Sequence, residues 1–119
     1  MIEEIQIEND VATLRLVGDL LGGPGEEVLH NKVKKLMNDG IRKVILDMEK
    51  VYMVNSAGLG LLVALVLIVK SKSGQMIIAN LSERIMGLFK STRLDLILEI
   101  SEAKQETGTA PANRNSSDR

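Results

Sequence analysis

The feature that most constrains the fold is one long apolar stretch, Ala57–Val69, which ends at Lys70. As a helix this stretch would span about 20 Å, which is short of the roughly 30 Å hydrocarbon core of a bilayer. We therefore expect a helix buried in a globular domain and no insertion into a membrane. The N-terminus, Met1-Ile2-Glu3-Glu4, lacks the apolar run of a secretory signal, so a cytoplasmic location is expected.

Strand patterns lie on both sides of this helix. Apolar and polar residues alternate at Ile5–Ile7 and over Val11–Val17, and the turn signal Asn9-Asp10 between them predicts an antiparallel hairpin. Later segments alternate between strand and helix patterns, with strands expected at 43–47, 75–79 and 96–100 and helices at 26–38, 56–72 and 82–91. This alternation predicts an α/β fold with a mostly parallel sheet and one antiparallel edge.

Composition divides the chain into one domain and a tail. Apolar residues make up 45% of the 119 residues, which is enough for a single core. From Thr107 to Arg119 the sequence is rich in Thr, Gly, Pro, Asn and Ser and lacks large apolar residues. Such a segment cannot bury enough surface to offset its ordering entropy. We predict a domain over 1–106, which ends in a helical turn or two after Ser101, and a disordered tail over 107–119.

The residue counts exclude several classes of function. Fifteen Lys and Arg against sixteen Asp and Glu give a net charge of −1, which argues against binding of nucleic acid. One Phe, one Tyr and no Trp argue against a base-stacking platform. The absence of Cys and the presence of one His exclude thiolate catalysis, disulfides and Cys/His zinc sites. We therefore expect no catalytic residue, no cofactor and no metal.

The most informative segment is Val54–Gly60, where a loop meets the apolar helix. Ser56 lies where the helix begins, and the first N–H groups of a helix have no partners within it. Small residues at Ala57, Gly58 and Gly60 allow a close approach of another backbone or an anion. Ser56 could serve as the N-cap, as a tight-turn residue, or as a phosphorylation site. In the last case the phosphate would meet the positive end of the helix dipole.

The sequence contains partial matches to two other types of site. A serine hydrolase needs a nearby base and usually a glycine two residues before the serine, but Val54 occupies that position and His30 lies on the first helix. Gly22–Gly25 lacks the Gly-Lys-Ser/Thr ending of a phosphate-binding loop, and Glu26 would repel phosphate. His30 is better explained as a solvated helix residue, and Gly22–Gly25 as a flexible connection.

Acidic and amide side chains could also gather at one edge of the sheet. Asp19, Asp47 and Asn55 follow strand patterns, and their oxygens would suit a magnesium ion. Acidic residues at such places more often bond loop amides. The apolar helix carries two stripes, Leu59-Leu62-Val63-Val66-Val69 and Leu61-Leu65-Ile68. A helix apolar on both sides is either buried all round or leaves one side for a partner.

Five segments carry a resemblance to a known family: Leu16–Leu20, Val44–Asp47, Asn55–Gly60, Asn80–Ile85 and Leu88–Lys90. Together they resemble the STAS domain of bacterial anti-sigma factor antagonists, over about residues 1–106. The resemblance implies a four- to five-stranded mixed sheet with helices packed mainly on one side.

The resemblance also implies a protein switch. In the family, the serine of an Asp-Ser-Ser/Thr/Ala-Gly motif is phosphorylated by a serine kinase that is itself the anti-sigma factor. The matching residue here is Ser56, and Asn55 stands where the family has Asp. The unphosphorylated antagonist binds the anti-sigma factor and frees a sigma factor. The phosphorylated antagonist is released, and a PP2C-type phosphatase resets it.

The combined hypothesis is a binding module rather than an enzyme, present as a monomer or weak dimer and controlled by phosphorylation of Ser56. The residues expected to contact the partner are Asp19, Asn55, Ser56, Ala57, Gly58, Leu59 and Leu62. The alternative is a STAS module that is never phosphorylated and acts as a scaffold or small-ligand sensor in a transporter or signalling complex.

Overall fold

Five strands form one sheet whose spatial order follows the order of the chain. The strands are β1 (Ile2–Glu8), β2 (Val11–Val17), β3 (Lys43–Lys50), β4 (Gln75–Ala79) and β5 (Glu99–Ile100). β1 pairs antiparallel with β2, and the other neighbouring strands pair in parallel. The predicted mixed, mostly parallel sheet is therefore confirmed. The structure, a computed structural model, describes residues 1–101. The helical turn predicted after Ser101 and the tail predicted over 107–119 lie outside the described residues.

Three helices connect the parallel strands: α1 (Gly25–Asn38), α2 (Ser56–Ser71) and α3 (Glu83–Ser91). α3 begins as the sequence predicts, because the Ser82 Oγ accepts a hydrogen bond from the Ile85 N–H at 3.2 Å and so caps the helix. Within residues 1–101, none of the helices has the length and apolar character that crossing a bilayer requires.

The core lies between one face of the sheet and the helices. Leu14, Leu46 and Ile78 are register neighbours on β2, β3 and β4, and all three are fully buried. The buried side chains of the three helices join them in a single cluster. Side chains that alternate with these residues, such as Thr13 and Ile45, are only half-buried. This difference between the two faces fits the expected packing of helices mainly on one side.

α2 has one buried stripe rather than two. Its buried side chains are Leu62, Leu65, Val66 and Val69. These positions follow the three- and four-residue spacing of a single helix face. Leu67 lies on the opposite side and is exposed. The sheet and α1 therefore cover one side of α2, and its other apolar residues are partly or fully open.

The last strand is shorter than the sequence predicts. The expected strand over 96–100 begins only at Glu99, after a 3-10 turn at Leu94–Leu96. Arg93 precedes this turn with a left-handed φ of 65°. Leu96 and Ile97 are exposed, so their apolar character suggested a strand that the packing does not form. In the centre of the sheet, β3 extends to Lys50, beyond the predicted end at residue 47.

Candidate functional site

Asn55, rather than Ser56, caps α2. The Asn55 Oδ1 accepts a hydrogen bond from the Gly58 N–H at 3.0 Å, which partners one of the free amides of the first turn. The Asn55 Nδ2 donates to the Leu21 carbonyl at 3.2 Å. Ser56 is therefore the first helical residue, and its side chain is exposed to solvent. Its hydroxyl is thus available for chemistry instead of being used as a cap.

Gly58 allows another backbone to approach the first turn of α2. A Cβ placed on Gly58 would overlap the Leu20 carbonyl oxygen and would lie 2.7 Å from the Leu20 Cβ. The same segment pairs with the loop before α2, since the Leu20 N–H donates to the Met53 carbonyl at 2.9 Å and the Asn55 N–H donates to the Leu20 carbonyl at 3.1 Å. The predicted close approach at this glycine is therefore observed.

Asp19 holds the loop that leads into α2. One carboxylate oxygen, Oδ1, accepts hydrogen bonds from the Tyr52 N–H at 3.3 Å and the Met53 N–H at 3.1 Å. Asp19 is itself exposed. The segment after β2, the loop before α2 and the first turn of α2 thus form one hydrogen-bonded unit at the carboxyl end of the sheet.

Exposed apolar side chains surround this unit. Large hydrophobic side chains are exposed at Val17, the last residue of β2, and on both loops, at Leu21, Tyr52 and Met53. Tyr52 is the most open of them, with 65% of its surface exposed. Beside them a groove of about 340 Å³ lies between residues 52–54 and α3, where Arg84 and Leu88 line it. Exposed apolar side chains next to a polar hydroxyl are typical of protein interaction surfaces.

The structure brings together most of the residues predicted to contact a partner. Asp19, Asn55, Ser56 and Ala57 are exposed at one end of the sheet, and Leu59 is half-buried beside them.

Two of the predicted contact residues do not belong on this surface. Leu62 is fully buried in the core because it lies on the covered face of α2. Gly58 is also buried, beneath Leu20. Its role is to admit the neighbouring backbone, and we remove both residues from the expected footprint.

Asp47 shares no hydrogen-bond partner with Asp19 or Asn55 among the bonds described here. Its carboxylate is 1% exposed and accepts from the Asn80 Nδ2 at 2.9 Å, the Arg15 Nε at 3.4 Å and the Glu49 N–H at 3.1 Å. These bonds cross the ends of three parallel strands. No group of three or more His, Cys, Asp or Glu side chains that could hold a metal ion occurs in residues 1–101.

Three exposed apolar side chains on the loops beside the start of α2 were not identified from the sequence, namely Leu21, Tyr52 and Met53. A signal was available, because Tyr52 and Met53 are large apolar residues in a loop directly before the serine. Their exposure depends on how the loop is placed relative to α3, across the groove, and periodicity does not encode that placement. Glu26, for which the sequence suggests only repulsion of phosphate, is another omission, since it is buried and its side chain accepts a hydrogen bond from the Gly22 N–H.

Comparison with known proteins defines the family to which this chain belongs. The chain is a member of the STAS domain family, whose profile matches residues 4–107. The anti-sigma-B factor antagonist of Bacillus subtilis is a relative with 37% identity over 105 residues, which cover 87% of this chain and 91% of the relative.

Solved structures share the same fold at lower identity. The Thermotoga maritima protein tm1081 superposes with a TM-score of 0.73 and 23% identity, over 84% of this chain and 86% of that one. The anti-sigma factor antagonist SpoIIAA in its unphosphorylated form gives a TM-score of 0.67 and 17% identity, over 85% and 88%. The phosphorylated form of SpoIIAA from Bacillus superposes with a TM-score of 0.65 and 18% identity, over 82% of this chain and 89% of that one.

Proposed function

We propose that this chain is an anti-sigma factor antagonist that binds its anti-sigma factor when Ser56 is unmodified and releases it when Ser56 is phosphorylated. The observation that carries the proposal is an exposed hydroxyl at the first position of α2, next to two hydrogen-bonded loops that expose the apolar side chains of Leu21, Tyr52 and Met53. The relatives support the role, because one opposes an anti-sigma factor and another has been solved both with and without phosphate.

The electrostatics of the surface explain how one phosphate could act as a switch. A phosphoserine adds about two negative charges and three acceptor oxygens. On the free protein, solvent and the amides of the α2 N-terminus accommodate these charges. In a complex they would be buried against an apolar partner surface. A hundredfold loss of affinity needs only about 2.7 kcal/mol, and burial of an unpaired phosphate exceeds that.

The proposal includes partners of three kinds. The anti-sigma factor is a serine kinase that phosphorylates Ser56, a PP2C-type phosphatase removes the phosphate, and the freed sigma factor directs transcription. Sigma factors act in the cytoplasm, and this chain would act there as a binding module without catalytic chemistry of its own.

A phosphorylation assay tests the modification directly. Candidate serine kinases encoded near this gene are incubated with the protein and ATP, and intact mass is measured. We expect a gain of one phosphate in the wild-type chain and none in Ser56→Ala. Ser71→Ala is the matched control, since Ser71 is an exposed serine at the other end of the same helix, and it should accept phosphate like the wild type. No gain with any kinase would favour the scaffold or ligand-sensor alternative.

Binding to the same kinase tests the switch. We expect phosphorylated protein and Ser56→Asp to bind at least tenfold more weakly than the wild type, and Ser56→Ala to bind about as well. Ser71→Asp adds the same charge far from the proposed partner surface around Ser56 and should keep wild-type affinity. Equal affinities of phosphorylated and unmodified protein would refute the switch.

A further inference from the structure

Glu26 is a buried carboxylate in the first turn of α1, and it faces the loop that precedes the helix. Only 7% of its surface is exposed, and its Oε2 accepts a hydrogen bond from the Gly22 N–H at 2.6 Å. Within residues 1–101 no Lys or Arg forms a salt bridge with it. A charged group is rarely buried unless it is bonded, so this backbone bond and the helix N-terminus are what stabilise it here.

The bond fixes a turn that lies against the proposed partner surface. Gly22 has a left-handed φ of 93°, and a Cβ on Gly22 would lie only 3.0 Å from the Ala57 Cβ. The preceding carbonyl, that of Leu21, accepts from the Asn55 Nδ2 at 3.2 Å. Glu26 and Asn55 therefore hold residues 21–22 from two sides, next to the first turn of α2.

We propose that Glu26 is a positioning residue of the partner surface. Through its bond to the Gly22 N–H it fixes where the exposed Leu21 side chain sits and keeps the loop against Ala57, beside Ser56. The inference rests on the proposed function in one respect, because it takes the surface around Ser56 to be where the partner docks. The geometric part of the inference is that residues 21–22 and the start of α2 depend on Glu26. This part can be tested on the free protein, without a partner.

Amide exchange measured by NMR on the full chain tests the geometric part. In Glu26→Ala the Gly22 amide should exchange at least tenfold faster than in the wild type, since a hydrogen bond to a charged acceptor is lost. Chemical shifts should change at Leu21 and at residues 55–57. Glu26→Gln should restore the wild-type exchange to within about threefold, because its amide oxygen still accepts the bond.

Glu27→Ala is the matched control. Glu27 is an acidic residue of the same first turn, but its side chain is exposed. Its removal takes away the same charge near the helix start and should leave the Gly22 amide unchanged. If the two alanine variants alter residues 21–22 and 55–57 equally, the proposal is overturned. Faster exchange of Gly22 only in parallel with the β3 amides would also overturn it, since that reports lower global stability.

Binding to the anti-sigma kinase found by the phosphorylation assay completes the test. We expect Glu26→Ala to bind about tenfold more weakly and Glu27→Ala to change affinity less than twofold. Wild-type affinity of Glu26→Ala, despite altered exchange at Gly22, would overturn the positioning role and leave the proposed function standing. If the wild type itself binds no kinase, the proposed function fails, and the exchange data still decide whether Glu26 sets the loop.

Discussion

At Gly58 the first turn of α2 lies close against the segment after β2. We expect Gly58→Ala to lower the free energy of unfolding by about 2 kcal/mol, because the added methyl group would overlap the Leu20 backbone in a packed interior. The measurement is urea denaturation followed by circular dichroism.

Gly60 supplies the control for this substitution. It lies in the same turn of α2, and a Cβ placed on it meets no atom within 4 Å. Gly60→Ala should therefore raise stability by about 0.5–1 kcal/mol, since alanine favours a helix over glycine. Similar effects of the two substitutions would show that close packing against Leu20 is not what Gly58 provides.

Asn55 makes two bonds that can be separated by mutation. Asn55→Ala should lower stability by about 1 kcal/mol, because the cap on the Gly58 N–H is lost. Asn55→Asp keeps that acceptor and adds a favourable charge at the helix start, but it cannot donate to the Leu21 carbonyl. We expect its stability to lie within about 0.5 kcal/mol of the wild type.

NMR chemical shifts around the Leu21 carbonyl distinguish the two bonds in the same variants. NMR shifts near Leu21 should change in Asn55→Asp as much as in Asn55→Ala, while stability should not. An aspartate variant as unstable as the alanine variant would mean that the bond to Leu21, rather than the cap, stabilises this end of α2. The result also shows what the asparagine contributes where the family motif has aspartate.

Among the elements, those with strong periodicity could be predicted from the sequence, and those whose ends depend on tertiary packing could not. The alternating apolar residues of β2 and the helical spacing in α1 follow directly from burial of one face. The end of the sheet at β5 could not be predicted, because Leu96 and Ile97 are apolar but exposed. Exposure of such residues depends on tertiary packing that a local pattern does not contain.

The candidate site divides in the same way. The position of Ser56 at the start of α2 follows from the change from loop to apolar helix, so it could be predicted. The choice of Asn55 as cap could not, since either residue can cap a helix and only the turn geometry decides. The burial of Leu62 could not be predicted, because α2 is apolar on more than one side and the sequence pattern does not show which face is covered.

A polar cluster around Asp47 joins the ends of three strands. Its carboxylate bonds Arg15 of β2 and Asn80, which follows β4. We expect Asp47→Ala to lower stability by about 3 kcal/mol, because removal of a buried charge disturbs the groups that it binds. Asp39→Ala is the control: its ion pair with Lys35 at 3.1 Å is exposed and should contribute about 0.5 kcal/mol or less. Comparable losses in urea denaturation would contradict a buried structural role for Asp47.

For the whole molecule, the proposed switch requires that charge at Ser56 weakens binding without weakening the fold. The two effects have different origins. In the proposed switch, loss of binding comes from burying charge in a complex, whereas the free protein leaves Ser56 in solvent at the positive end of the α2 dipole. The fold and the interface should therefore respond to the same charge in opposite directions.

This opposition can be measured with one aspartate at each end of α2. Ser56→Asp should raise the free energy of unfolding by about 0.5 kcal/mol at low salt, because the carboxylate meets the helix N-terminus. Ser71→Asp, at the last helical position, should lower it by a similar amount relative to Ser71→Ala, since the dipole is reversed there. Salt should reduce both effects. If Ser56→Asp instead destabilised the free protein, its weaker binding would reflect damage to the fold, and an electrostatic release mechanism would be contradicted.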